Sequence, residues 1–248
     1  MLDPESEPPC PERPDPPAPE DAAVRAYYDD LAARYDEVRF TRSSYGQYLD
    51  RLERVALARA LAAARPGPVL DLACGTGRLL DLATHGLDAS ESMLTRARAR
   101  WPDKPLVAAD AERTPFEDRS FEAVLCLHLL MHLGRSKIAR VLRECRRILR
   151  PGGRLVLDFP SALRRRLRGP PPRGWHGATA LSPEELMALS GPGFELVGVD
   201  GLMLLPVHRL PAWLRLPLLP LDRLLCRGPL ARLASFQLVE LRARTCGS

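Results

Sequence analysis

Residues 69–80, VLDLACGTGRLL, constrain this chain more than any other stretch. A strand-forming run carries one acid, Asp71, and breaks at Gly75 and Gly77 before a second apolar segment. Glycines placed where a strand ends let backbone approach a ligand closely. A phosphate-cradling loop needs GxxxxGK[ST], and no lysine follows Gly77. The dinucleotide pattern GxGxxG is nearer, but its third glycine position holds Leu80. Asp71 would also repel a pyrophosphate, which disfavours a nicotinamide cofactor.

Strand and helix patterns then alternate, as in a parallel sheet built from βαβ units. Strands are expected at 69–74, 85–88, 106–110, 123–127, 154–159, 194–199 and 235–242, and helices at 77–83, 91–101 and 137–150. Apolar spacing predicts two earlier helices, over 21–35 and 45–64, which together form a helical cap at 21–65. Ser182, Pro183 and Glu185 spell a capping box for a short later helix. Only ten residues, Gly75 to Thr84, separate the first strand from the second. That is the short limit of a crossover, so a helix over 77–83 would be about two turns long.

Residues 1–20 are proline-rich and lack apolar periodicity, which predicts a disordered acidic tail before a single domain at 21–248. The N-terminus has neither the basic start nor the apolar run of a secretory signal, and no segment has the length of a membrane span; a cytoplasmic protein is expected. Net charge is +5, with −7 in residues 1–30 and therefore about +12 in the remainder. Such a surface favours anionic ligands in general. Six cysteines and five histidines show no metal-ligand spacing, and no metal is expected. Residues 203–230 are apolar and broken by prolines at 206, 211, 217 and 220. They read as a lid or substrate wall, as plain packing, or as a weak membrane contact.

Two further acids close expected strands. Asp88 ends the second, where a carboxylate can accept both hydroxyls of a ribose. Asp110 ends the third, where it can accept from an exocyclic amine such as adenine N6. With Asp71 they outline a pocket for an adenosine bearing a cationic tail.

Here the sequence resembles the class I S-adenosylmethionine-dependent methyltransferases of the small-molecule type, over roughly residues 22–242. VLDLACGTGRL, GLDASESML, AADAERTPFEDRSFEAVLC and LRPGGRLVLDF are similar to that family's successive motifs, and YYDDLAARYDEVR to its helical cap. The resemblance implies a Rossmann-like, doubly wound, mostly parallel seven-stranded sheet with an antiparallel last strand and helices on both faces. It implies S-adenosylmethionine as cofactor. Asp71, Ala73, Gly75 and Gly77 would shape its methionine end, Asp88 and Ala89 its ribose, and Asp110 and Ala111 its adenine. Leu127 would lie against the methionine, and Tyr28 or Tyr35 would close the pocket.

Methyl transfer from a sulfonium is an in-line displacement that needs mainly alignment of the reactants. A base matters only where the acceptor must lose a proton. His132 is the better candidate, with His128 and Tyr28 beside it and His176 a weaker one outside the motifs. The reaction expected is methylation at oxygen or carbon, less readily nitrogen, of a small apolar or aromatic molecule. The alternatives are a non-catalytic or partner-activating protein of the same fold, or an RNA methyltransferase. The chain lacks the Asn/Asp-Pro-Pro-aromatic signature of amino-methylating nucleic-acid enzymes. The sequence leaves the oligomeric state open.

Overall fold

The computed structural model describes residues 21–168 and 179–245. The expected tail at 1–20 and His176 lie outside them. Seven strands form one sheet: β1 (Val69–Leu72), β2 (His85–Asp88), β3 (Leu106–Ala108), β4 (Phe121–Cys126), β5 (Leu149–Pro160), β6 (Phe194–Leu202) and β7 (Phe236–Ala243). Their order is β3-β2-β1-β4-β5-β7-β6. β1 to β5 pair in parallel, whereas β7 runs antiparallel to both β5 and β6. This is the Rossmann-like arrangement. The order of winding reverses between β1 and β4, which opens a crevice beyond their carboxyl ends.

Alternation along the central strands sends side chains to two buried faces. Val124, Cys126, Leu155 and Leu157 meet Ile138 and Leu142 of α4 (Arg135–Ile148) on one face. Leu125, Leu127 and Val156 meet Tyr48, Leu52 and Leu57 of α2 (Ser44–Ala62) on the other. β4 is buried at every position, as a central parallel strand covered on both sides must be. Serines start the helices. Ser43 caps α2, Ser90 caps α3 (Glu91–Arg100), and Ser182 with Glu185 forms the expected capping box of α6 (Pro183–Ser190).

Two expected helices change form. The 21–35 helix is α1 (Asp21–Leu31) continuing through a 3-10 turn (Ala32–Arg34), and a π-turn follows at Glu37–Thr41. The 77–83 helix is absent, and the chain crosses from β1 to β2 in turns alone. Gly77 explains part of this: its φ is +77°, and a Cβ there would lie 2.8 Å from Leu80 Cδ1 and 3.0 Å from Trp101 Cδ1. Side chains replace the missing helical hydrogen bonds. Trp101 Nε1 donates to the Gly77 carbonyl at 2.8 Å, and Arg54 Nη2 to that of Arg78 at 2.7 Å. Lys104 Nζ donates to the carbonyls of Leu80 and Ala83. Buried carbonyls need such partners, and here they come from neighbouring segments.

The 203–230 insert folds into short pieces, including α7 (Ala212–Arg215) and α8 (Leu219–Leu225). Val207 joins the α2-side core, and Asp222, with no exposed surface, locks the insert to α2. Its Oδ2 accepts from Tyr48 Oη at 2.8 Å, and its Oδ1 from the amides of Leu204 and Leu205 at 3.0 and 2.9 Å. No described helix is long and apolar enough to cross a membrane.

Asp222→Ala strips three buried donors of their acceptor and should cost about 3–5 kcal/mol of unfolding free energy, against about 1–2 kcal/mol for Tyr48→Phe. Urea titration checks this; equal losses in the two variants would mean that the Leu204 and Leu205 amides do not depend on Asp222.

Candidate functional site

The crevice holds a slot of about 170 Å³ over the ends of β1, β2, β3 and β4. Asp71 and Ala73 line it from the end of β1, Asp88 and Ala89 from the end of β2, Asp110 and Ala111 from beyond β3, and Leu127 from just beyond β4. The three acids thus reach one hollow. Gly75 lines it too, with φ +54° and open space where a Cβ would stand. Gly77 does not line the slot; it shapes the turn behind Gly75 and faces Leu80 and Trp101.

Ala73 and His128 both have positive φ, +64° and +58°. Left-handed backbone is strained for such residues and persists where surrounding contacts impose it. Here it lies where the chain leaves the adjacent strands β1 and β4, and it turns the backbone over the slot.

Asp88 is fixed by two amides, accepting from Gly75 N through Oδ2 and from Ser90 N through Oδ1, each at 2.8 Å. Burial raises its carboxyl above the usual range, and those amides oppose the rise. Each oxygen keeps acceptor capacity for a ligand hydroxyl. Asp71 is pushed up to about 7 by burial, with Arg78 opposing and Asp88 adding to the rise. A cation arriving beside it would favour its ionised form. Asp110 Oδ1 accepts from the Glu112 amide at 2.9 Å, and its Oδ2 lies 3.5 Å from Lys137 Nζ.

The cap closes the slot from above. Thr76 Oγ1 donates to Asp36 at 2.6 Å, and Ser90 Oγ donates to Asp29, which ties the cap to the glycine turn and to the start of α3. Tyr28 and Tyr35 line the slot with rings 6.0 Å apart. The Tyr28 hydroxyl lies 2.9 Å from His132 Nε2. Burial, then Tyr35, raises the Tyr28 phenol far above its ordinary value, so it stays neutral.

A second cavity, of about 590 Å³, adjoins the first. Tyr28, Tyr35, His128 and His132 belong to both walls. Among the described residues, none of the 203–230 insert lines either cavity; the insert packs on α2 and is no substrate wall.

His128 departs from its expected role as a base. Its Nε2 lies 2.7 Å from Glu53 Oε1 and its Nδ1 3.3 Å from Asp158 Oδ2. Burial alone would lower this imidazole, but the two carboxylates outweigh it and hold it up at about 9. An imidazole already protonated near neutrality cannot accept the acceptor's proton. Asp158 also accepts the His128 amide at 2.6 Å, which fixes the kink after β4. Glu53 bridges onward to Arg78 Nη2 at 2.7 Å.

Sequence reading missed Glu53, Asp158, Arg78 and Lys137. Glu53 carries a signal, since it sits between Leu49 and Leu57 on the stripe of α2 that must be buried. Asp158, in LVLDF, closes an apolar strand just as Asp71 does.

Fold and slot together define a doubly wound domain with an acid-lined hollow over its strand ends. Comparisons with known proteins agree. Residues 70–157 match a family model described as a methyltransferase domain. A demethylmenaquinone methyltransferase of Beutenbergia cavernae is 43% identical over 141 residues, covering 54% of this chain and 56% of the relative. One from Thermotoga maritima is 38% identical over 138 residues, covering 52% and 58%. The chain therefore spans somewhat under three fifths of the length of these curated relatives. Among solved structures, the [4+2]-cyclase SpnF superposes with TM-score 0.68 at 22% identity, covering 93% of this chain and 98% of that one. Magnesium protoporphyrin IX methyltransferase of Synechocystis, with bound S-adenosylhomocysteine, gives 0.64 at 16%, covering 91% and 100%. The methyltransferase-domain match thus takes in β1 to β5, about a third of the chain.

The His128 pair predicts a pH signature. Its folded value lies above the unfolded one of about 6.5, so its stabilisation is complete below pH ~6.5 and is lost as pH rises through about 9. Unfolding free energy should fall by on the order of 3 kcal/mol across that window. In His128→Asn, which tolerates positive φ, the fall should vanish; an unchanged profile would show that the imidazole does not titrate there.

Proposed function

We propose that the chain binds S-adenosylmethionine in the slot and transfers its methyl group to oxygen or carbon of a small apolar or aromatic molecule in the adjoining cavity. The observation that carries this reading is the convergence of Asp71, Asp88 and Asp110 beside Gly75, in a slot that shares a wall with a second cavity. The donor set suits the cofactor. Asp88 has oxygens left for a ribose diol, Asp110 stands where it can accept from an amine, and Asp71 is a buried acid that a cationic tail would ionise. The relatives named as demethylmenaquinone methyltransferases support a small apolar acceptor.

When bound, S-adenosylmethionine supplies a methyl group already activated by a positively charged sulfur. The protein's task is then alignment and the exclusion of water. Tyr28 and Tyr35 stand at the shared wall, where they can hold donor and acceptor in line. His132 is buried beside the neutral Tyr28 hydroxyl and opens on both cavities, so it is the group placed to take an acceptor proton. The positively charged His128 beside it holds the end of β4 in place.

The same fold also serves in a protein described as a [4+2]-cyclase, so the experiment must test binding and transfer separately. Calorimetry with S-adenosylhomocysteine tests the slot; no binding at millimolar ligand would sink the reading. Incubating a cell extract with the chain and isotope-labelled S-adenosylmethionine tests transfer, read as label in small molecules by mass spectrometry.

Asp88→Ala should weaken S-adenosylhomocysteine binding by roughly 1.5–3 kcal/mol. Unaltered affinity would take Asp88 out of the slot. His132→Ala should slow labelling of the acceptor about 100-fold or more while leaving cofactor affinity intact; equal turnover would make it a packing residue.

A further inference from the structure

One side of the 203–230 insert packs on α2; the opposite side is apolar and open. A 3-10 turn (Leu216–Leu218) joins α7 to α8, so the backbone is helical from Ala212 to Leu225. Pro217 and Pro220 each fall within the first two positions of their piece, where an amide has no intrahelical partner to lose. The prolines that interrupt the sequence pattern therefore leave the helical path intact. On its inner side Leu216 and Leu219 join the α2-side core, and Asp222 and Cys226 are buried. On its outer side Trp213, Pro217, Leu221 and Leu224 recur at spacings of four, four and three, which is one helical stripe. Trp213 is 75% exposed, Leu224 68% and Leu221 46%. Apolar residues scattered singly over a surface need no explanation, but a tryptophan and two leucines aligned on one stripe do.

The stripe is set in positive charge. Residues 203–233 carry five arginines and one acid, Asp222. That acid has no exposed surface and already accepts from Tyr48 and two amides. Arg232 pairs with Glu184, whereas Arg215 donates to two uncharged oxygens, Ser44 Oγ and the Leu210 carbonyl. Arg209 precedes Trp213 in the chain, and Arg223 and Arg227 flank Leu224, so guanidinium groups stand at both ends of the stripe. At the Arg209 end the insert meets α5 (Ala162–Arg168): desolvation, and then Arg168, Arg209, Arg164 and Arg215, hold His208 below its ordinary value. Arg164 and Arg168 also line the second cavity, so this end of the face adjoins it.

We infer that this face rests on an anionic lipid bilayer, with Trp213, Leu221 and Leu224 entering the boundary between headgroups and acyl chains and Arg209, Arg215, Arg223 and Arg227 meeting lipid phosphates. A helical stretch with an apolar stripe between arginines lies in the plane of such an interface. Tryptophan suits that depth, because its ring is buried while its N–H meets the headgroups. Arginines beside the surface are drawn to anionic lipid. A second copy of the chain is the poorer occupant, since two such faces would press like-charged rims together. The contact is one of lying on the bilayer: no described helix is long and apolar enough to cross it. It requires nothing of the donor slot and stands whether or not a methyl group is transferred.

The test is co-sedimentation of the full chain with vesicles of phosphatidylcholine alone and of an equimolar phosphatidylglycerol–phosphatidylcholine mixture. The anionic vesicles should bind roughly ten-fold more tightly or better at low salt, with the preference shrinking as salt is raised. Replacing Trp213 and Leu224 together by serine should weaken binding to the anionic vesicles about ten-fold or more. Arg209→Gln combined with Arg227→Gln should weaken it several-fold and leave binding to the neutral vesicles unchanged. All four side chains are exposed, so both variants should melt at the temperature of the parent chain. Equal binding to the two vesicles, no binding to either, or anionic binding that survives the loss of Trp213 and Leu224 overturns the proposal. So does a concentration-dependent dimer that the serine variant abolishes, which would give the face to a second copy.

Discussion

Glu53 has no exposed surface and yet remains a carboxylate, and three parts of the structure meet on it. One oxygen faces the guanidinium of Arg78 in the β1–β2 crossover; the other faces the imidazolium of His128 beyond β4. Burial alone would raise its carboxyl, but His128 and Arg78 outweigh that and hold it well below the usual range. A single buried charge on α2 thus fixes the loops after β1 and after β4, and these are the two edges of the crevice. Removing it would leave Arg78 close to Asp50 alone and His128 with Asp158. Losing one partner of a buried ionic group costs more than the group contributes when intact.

This arrangement separates two jobs that sequence position merges. His128 and His132 lie four residues apart and both border the slot. His128 is clamped between carboxylates and serves as a fixed positive charge. His132 instead meets the neutral phenol of Tyr28. Environment decides which imidazole can take part in proton transfer.

Much of the architecture was legible in the residues. The alternation of apolar runs with Gly and Pro punctuation located all seven strands, and the acids closing β1, β2 and the third strand segment pointed at one hollow. What failed did so for local reasons. A helix over 77–83 matches the apolar spacing, but Gly77 adopts a left-handed φ, and carbonyls that a helix would use are taken by Trp101, Arg54 and Lys104. Those donors lie 21 to 24 residues away in sequence, beyond any periodicity window. Glu53 was hidden because an acid on a buried stripe reads as an interruption until its cationic partners are seen. The insert's apolar composition left a lid, plain packing and a weak membrane contact open; its packing on α2 is a tertiary fact that composition does not carry.

The β1–β2 crossover has a consequence for how the chain acquires its form. A helical crossover can nucleate from its own residues, within the microsecond relaxation of local structure. This one makes only short turn bonds of its own, such as Leu80 N to the Gly77 carbonyl, and takes further donors from α2 and from the segment after α3. The glycine turn, and the cradle beside it, therefore depend for their shape on flanking pieces that must dock across long loops. The hollow's rim is thus held by residues distant in sequence, and damage to α2 or to the segment after α3 reaches it directly.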